Sequence, residues 1–316
     1  MTCSHGHHHA HAHHHLADGK MGWAVLLTLA FVIGEGLAGF FGHSVALLGD
    51  AGHNLADALA LLFSWYALRI ASRPSSSTRT FGYHRVGILA ALVNAGSLVA
   101  ISFFISWEAV DRLIHPREVH GLVMIIVAGV AVIINTVIAL WLQRHAENDI
   151  NLRSAYLHML GDAASSAAVI MAGVVVLVTK NPLADPIVSF IIAALILWSS
   201  WGILVESLNV LLEASPADID MPAVEKAITS VDGVLDVHDL HVWTVGPGVI
   251  AASCHILVNE QTISSGQQVL RAVVAELDHK FQINHTTVQV EVEGCGPNDM
   301  YCQIRRSDHA HAGHHH

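Results

Sequence analysis

Charge is scarce in this sequence. Asp, Glu, Lys and Arg supply 13% of its 316 residues, roughly half the share of an ordinary soluble domain, while 53% are apolar before glycine is counted. That balance excludes an intrinsically disordered chain and leaves no basic surface for a nucleic-acid partner. Cysteine is rare too, with 4 in the chain, which is too few for a disulfide-stapled secreted module. A cleavable signal peptide is not expected, because the start is a polar His tract rather than a short basic-apolar pair. The first span is expected to direct insertion itself. HExxH is missing as well, which argues against a zinc metalloprotease.

What charge there is falls unevenly. The first 213 residues carry 10 Lys/Arg and 13 Asp/Glu, and the remaining 103 carry 5 and 13, so a nearly neutral, greasy portion precedes an acidic, water-soluble one. No charged residue occurs from Val86 to Trp107, from Val119 to Gln143 or from Pro186 to Val205, runs of 22, 25 and 20 residues. Each matches the ~20 residues with which a helix crosses a bilayer core. Met21 to Phe41, Val45 to Arg69 and Ala155 to Val178 are as long but carry isolated acids. The expectation is an α-helical membrane protein of six transmembrane helices over residues 21–213. Trp23, Trp65, Trp141, Trp198 and Trp201 fall at or near span ends, where amphipathic rings favour the interface. With the N-terminus inside, seven basic residues (Lys20, Arg69, Arg73, Arg79, Arg85, Arg144, Arg153) collect on the inner side and three (Arg112, Arg117, Lys180) on the outer. Both termini are therefore expected in the cytoplasm.

The rest divides into a His-rich tail (1–20), a soluble domain (214–294) and a Cys/His-rich tail (295–316). In the soluble domain Asp220 to Ser230 reads as a helix, and Val234 to Val245 and Val249 to Val258 as strands about a Gly-Pro-Gly turn. A helix from a Ser264 or Ser265 cap to Phe281 follows, then a last strand from His285 to Glu293. The order α-β-β-α-β makes a small α+β domain with helices on one face of the sheet. Cys254 sits mid-strand and reads as a packing residue. Cys295 and Cys302, separated by six residues, are spaced more widely than a paired zinc knuckle.

An ionisable side chain inside a span costs a few kcal/mol or more and calls for a reason. Two spans share one pattern: His53 precedes Asp57 by four residues, and His158 precedes Asp162 by four. That spacing sets both side chains on one helix face, a turn apart. If the two faces meet, two imidazole nitrogens and two carboxylate oxygens suit tetrahedral Zn²⁺, and two Asp charges cancel those of the ion. An emptied site favours taking up protons, so metal and protons compete for the same atoms. Small residues flank both pairs (Gly49, Ala51, Gly52; Gly161, Ala163, Ala164, Ser165, Ser166) and would allow close helix approach. Asp50 is left as an entry-path residue or a helix cap. Glu35, Glu108, Asn94 and Asn135 read as hydrogen-bonding glue between helices.

At these residues the sequence resembles the cation diffusion facilitator family, in its zinc-transporting branch of bacterial zinc/cadmium/cobalt efflux proteins and animal zinc transporters. The carriers are Ser44 through Asp57, the loop Arg79-Thr80-Phe81-Gly82-Tyr83-His84-Arg85, Asn151 through Asp162, and Val237 through Trp243. The resemblance implies six helices, a cytoplasmic ferredoxin-like domain, a homodimer and alternating-access exchange of Zn²⁺ for H⁺. It implies a bacterial inner-membrane protein with His53, Asp57, His158 and Asp162 as its transport site. It further implies a cytoplasmic zinc site of His238, His255, His285 and Glu291. Even spacing places His285 and Glu291 on one sheet face, and His241 could face the other side. A second cytoplasmic site would join Cys295 and Cys302 to the Cys3/His5 tail of the partner subunit. Histidine is concentrated at the chain ends, eight between His5 and His15 and five between His309 and His316, where loose metal capture is expected. A His/Asp site can also take Co²⁺, Cd²⁺ or Ni²⁺. The rival readings are a non-transporting zinc sensor on the same fold and an intramembrane zinc hydrolase, the latter disfavoured because four protein ligands leave no open position for water.

Overall fold

The computed structural model describes residues 17–71, 73–143 and 150–293. Cys3, His5, Cys295 and Cys302 lie outside the described residues. Six long helices come first: α1 (Ala17–Phe41), α2 (Val45–Ala71), α3 (Val86–Ile114), α4 (Gly121–Gln143), α5 (Ile150–Thr179) and α6 (Ala184–Leu211). Then come α7 (Met221–Thr229), β1 (Val234–Gly246), β2 (Val249–Val258), α8 (Ile263–Phe281) and β3 (Ile283–Glu291). The chain forms two compact units. Among the described residues, one takes 17–68 together with Ala90–Val205, and the other takes Arg69–Leu89 with 206–293.

In the helical unit the usual polarity of a soluble protein is inverted. Trp198 is 80% exposed, and Phe103, Phe104, Ile133 and Trp141 are exposed as well, whereas Glu35, Asp50, Asp162, Asp185 and Ser166 are buried. Apolar groups facing out over a polar interior fit lipid as the solvent. Among the described residues four helices are long and apolar enough to cross a membrane: Val86–Ile114, Gly121–Gln143, Ala155–Thr179 and Ala184–Leu211. At 27 residues α2 is equally long, but Asp50, His53, Asp57 and Arg69 dilute its apolar character. The tightest helix crossing is between α4 and α5. A Cβ built on Gly121 would come within 2.5 Å of the Gly173 carbonyl oxygen, so neither position admits a side chain. Gly49 and Gly52 let Ile105 and Ile101 of α3 lie against α2, but Gly161 faces open space. Of the small residues beside the two His/Asp pairs, those on α2 serve helix approach and Gly161 does not.

The start of α2 is fixed by a residue far away in sequence. Asp185, at the start of α6, is fully buried; it accepts Ser44 Oγ at 2.5 Å and the Val45 and Ala46 amides at 2.8 and 3.3 Å. Ser44 Oγ also accepts the Leu47 amide at 3.2 Å. A carboxylate at a helix N-terminus satisfies amides that have no intrahelical partner. The cap is therefore Ser44 with Asp185, which removes that role from Asp50. Glu108 pairs with Arg112 at 2.9 Å, and Arg112 also donates to the His43 carbonyl.

The soluble unit holds a three-stranded sheet in the order β1-β2-β3, with β1 antiparallel to β2 and β2 parallel to β3. Val224 and Ile228 of α7 and Val273 and Leu277 of α8 close over Val237, Leu240, Val242, Ala252, Cys254, Ile256 and Ile283. The cap of α8 is Thr262, whose side chain accepts the Ser265 amide, so the helix starts two to three residues earlier than the serines suggest. Asp239 has φ 53° and marks a bulge where the register shifts between His238 and His241. An inserted residue reverses the side-chain alternation, so His241 shares the helix-free face with His238 instead of opposing it. The loop before α3 belongs to this unit: the rings of Phe81 and His285 meet edge to face at 5.6 Å, and Arg85 pairs with Glu213 at 2.8 Å.

Candidate metal centres

The two helix-borne pairs come together in the helical unit. His53 Nε2 lies 3.3 Å from Asp57 Oδ2 and 3.2 Å from Asp162 Oδ1. His158 Nε2 lies 3.2 Å from Asp57 Oδ2 and 3.6 Å from Asp162 Oδ2. The four side chains form a closed ring in which imidazole and carboxylate alternate. Ligands at 2.0–2.2 Å from a tetrahedral ion stand about 3.3–3.6 Å from one another, and the four measured edges fall on that scale. The imidazole rings are 5.9 Å apart at 69°, so both nitrogens point inward without stacking. Asp57 Oδ2 is buried with no hydrogen-bond partner among the described residues. A buried polar atom left this way is costly, and a cation bound within the ring removes the cost. Asp162 is buried and His158 is the most open of the four. This is a donor set that fits a divalent ion.

A second group lies on the sheet face away from the helices. His238 and His255 are cross-strand partners, with rings 5.2 Å apart at 81°. Glu291 reaches both: Oε2 is 3.2 Å from His238 Nε2, and Oε1 is 3.1 Å from His255 Nδ1. His238 Nε2, His255 Nδ1 and Glu291 Oε2 are buried without a hydrogen-bond partner among the described residues, so three converging, unsatisfied donors fit a bound divalent cation. Asp239 Oδ2 stands 3.9 Å from His255 Nε2, and its Oδ1 is 3.1 Å from His241 Nε2. That ties the bulge to the site, a connection the sequence reading missed because bulges leave no clear spacing signal.

His285 is not in this group. It lies opposite Ala251 and packs on Phe81. Its even spacing to Glu291 gives a shared face, but six residues along a strand span about 20 Å, too far for one ion. Cys254 is buried in the core, and burial pushes its thiol up to about 11, which keeps it protonated and inert.

A lipid-facing bundle with four converging potential metal donors, joined to a soluble domain with its own donor cluster, has the features of a membrane protein that handles metal ions. Residues 23–212 match the family model for the cation efflux transmembrane domain, and residues 216–293 match that for the cation efflux protein cytoplasmic domain. The chain belongs to the cation efflux family and is a transporter, not an enzyme. It is 36% identical to the zinc transporter ZitB of Escherichia coli, over 98% of this chain and 99% of that one. It is 34% identical to a cadmium, cobalt and zinc/H⁺-K⁺ antiporter of Bacillus subtilis, over 90% and 94%. With the metal cation efflux system protein CzcD of Cupriavidus metallidurans it shares 35% identity over 95% and 93%. The solved metal-bound C-terminal domain of a CzcD transporter is 32% identical, covering 23% of this chain and all of that one, with a TM-score of 0.22.

Proposed function

We propose that the protein moves Zn²⁺ out of the cytosol in exchange for protons, by alternating access of one site formed by His53, Asp57, His158 and Asp162. Co²⁺ and Cd²⁺ are secondary substrates, since imidazole and carboxylate donors do not by themselves separate these ions. The observation that carries this reading is the alternating ring of two imidazoles and two carboxylates at tetrahedral spacing. With the ion bound, two Asp charges balance it. After its release the same carboxylates face one another across a low-dielectric gap and draw protons to the ring. A conformation with metal and one with protons are then both close to neutral, and a proton gradient can drive the cycle. The names of the relatives, which include zinc transporters and a proton-coupled antiporter, support the same substrates.

Around this site we place six spans, α1 to α6, with both termini in the cytoplasm of a bacterial inner-membrane protein that works as a homodimer. The division 1–20, 21–213, 214–294 and 295–316 separates tail, membrane domain, soluble domain and tail. His238, His255 and Glu291 hold a resident divalent ion, Zn²⁺ by its donor chemistry, that stiffens the soluble domain. Cys295, Cys302 and the partner subunit's Cys3 and His5 form a second cytoplasmic site, and the His-rich tails gather metal at the intracellular mouth.

Purified protein in proteoliposomes tests the reading. Zinc movement should respond to a pH gradient and fall by a factor of about a hundred or more in Asp162→Ala, the range seen when a buried ligand or proton-transfer group is lost. Metal binding without flux in the unmodified protein would leave the sensor reading in its place.

A further inference from the structure

The helical unit buries a polar cluster that the metal ring does not use. Glu35 on α1 and Asp50 on α2 are each 1% exposed. Asn54 Nδ2 donates to Glu35 Oε2 at 3.0 Å, and the hydroxyls of Ser166 and Ser165 donate to Asp50 at 2.9 and 3.4 Å. Glu35 Oε1 is buried and receives no donor from any described residue, yet the two carboxyls are within hydrogen-bonding reach of each other. Ionised carboxylates only accept, so they can bond to one another only with a proton between them. The titratable groups acting on the pair are its own two members, His53 on α2 and Asp162 on α5. Neither Lys nor Arg is among them. Asp50 precedes His53 by three residues on α2, and Ser165 and Ser166 follow Asp162 by three and four on α5. Along both helices the cluster is one turn from the metal ring.

We propose that Glu35 and Asp50 form a carboxyl pair that holds one exchangeable proton beside the metal ring and supplies the proton half of the exchange. The role in exchange rests on the antiport reading above. When the cation leaves, the proton passes from the O–H of the pair to an imidazole nitrogen or aspartate oxygen of the emptied ring. The pair is left with both carboxyls ionised and is refilled from the proton-rich side. Nothing is oxidised or reduced, and the only bonds changed are O–H and N–H.

The test uses the full chain. Infrared difference spectra with and without Zn²⁺ should show a protonated carboxyl C=O band in the unmodified protein that shifts in D₂O and is lost in Glu35→Gln. Zinc affinity of that variant should stay within about threefold of the original, while pH-driven zinc uptake falls about tenfold or more, as expected for loss of a proton-transfer group. Its dependence on internal pH should flatten, and Asp50→Asn should repeat the pattern. A missing carboxyl band in the unmodified protein, an unchanged pH profile in Glu35→Gln, or loss of zinc affinity together with flux each overturns the proposal. Unmodified vesicles that move no zinc would instead overturn the antiport reading, and with it the pair's role in exchange. The carboxyl band would still report whether the pair holds a proton.

Discussion

Asp57 stands between two imidazoles, 3.3 Å from His53 and 3.2 Å from His158, through the same oxygen. Single residues in the ring are therefore not equivalent to isolated ligands: removing one opens two edges at once. The soluble cluster has a different weakness, because Glu291 is its one carboxylate and touches both imidazoles. Substituting His238 by Ala should remove one tightly held divalent ion per purified chain, counted by metal analysis after dialysis, whereas His285→Ala should leave that count unchanged. Retained metal in His238→Ala would refute the assignment of the soluble site. The four-residue spacing of each helix-borne pair was legible in the sequence because a turn of helix fixes which side chains are neighbours. The place of His285 was not, since strand parity gives the face and says nothing of distance. The bulge at Asp239 was hidden for a different reason: an inserted strand residue leaves no spacing signal, so parity put His241 on the wrong face.

At the scale of elements, the helices and strands were legible from hydrophobic period and turn residues, to within one or two residues at most ends, while their partners were not. The cap of α2 comes from Asp185, 140 positions from Val45, and the α4–α5 crossing depends on Gly121 and Gly173; neither pairing leaves a local trace. Asp185→Ala strands Ser44 and two helix amides in a buried setting. It should cost about 2–4 kcal/mol, on the scale of a lost cap plus unsatisfied buried donors. A lowered melting temperature in detergent, accompanied by weaker zinc binding because α2 carries half the ring, is the expected result. Unchanged melting would mean that water replaces the carboxylate there.

For the whole molecule, the long charge-free runs announced a membrane protein, and the exposed Phe and Trp over buried Asp and Glu say the same in three dimensions. The long helices weakest in apolar character are the two that carry the donor ring, and α2 gives up apolar residues to hold Asp50, His53 and Asp57. If α1 to α6 all cross, a membrane-impermeant reagent added to intact cells should label a cysteine placed at Asn181, between α5 and α6. It should miss one placed at Ser76, between α2 and α3; labelling at both or neither would require a different number of crossings. The order of donors along the soluble domain has a further consequence. Because the carboxylate is the final residue of the final strand, a ribosome-bound chain completes its two imidazoles first and the third donor some thirty-six residues after His255. Until Glu291 emerges only two of the three clustered donors exist, so an ion that needs all three can be taken up only once the last strand of the domain has been made.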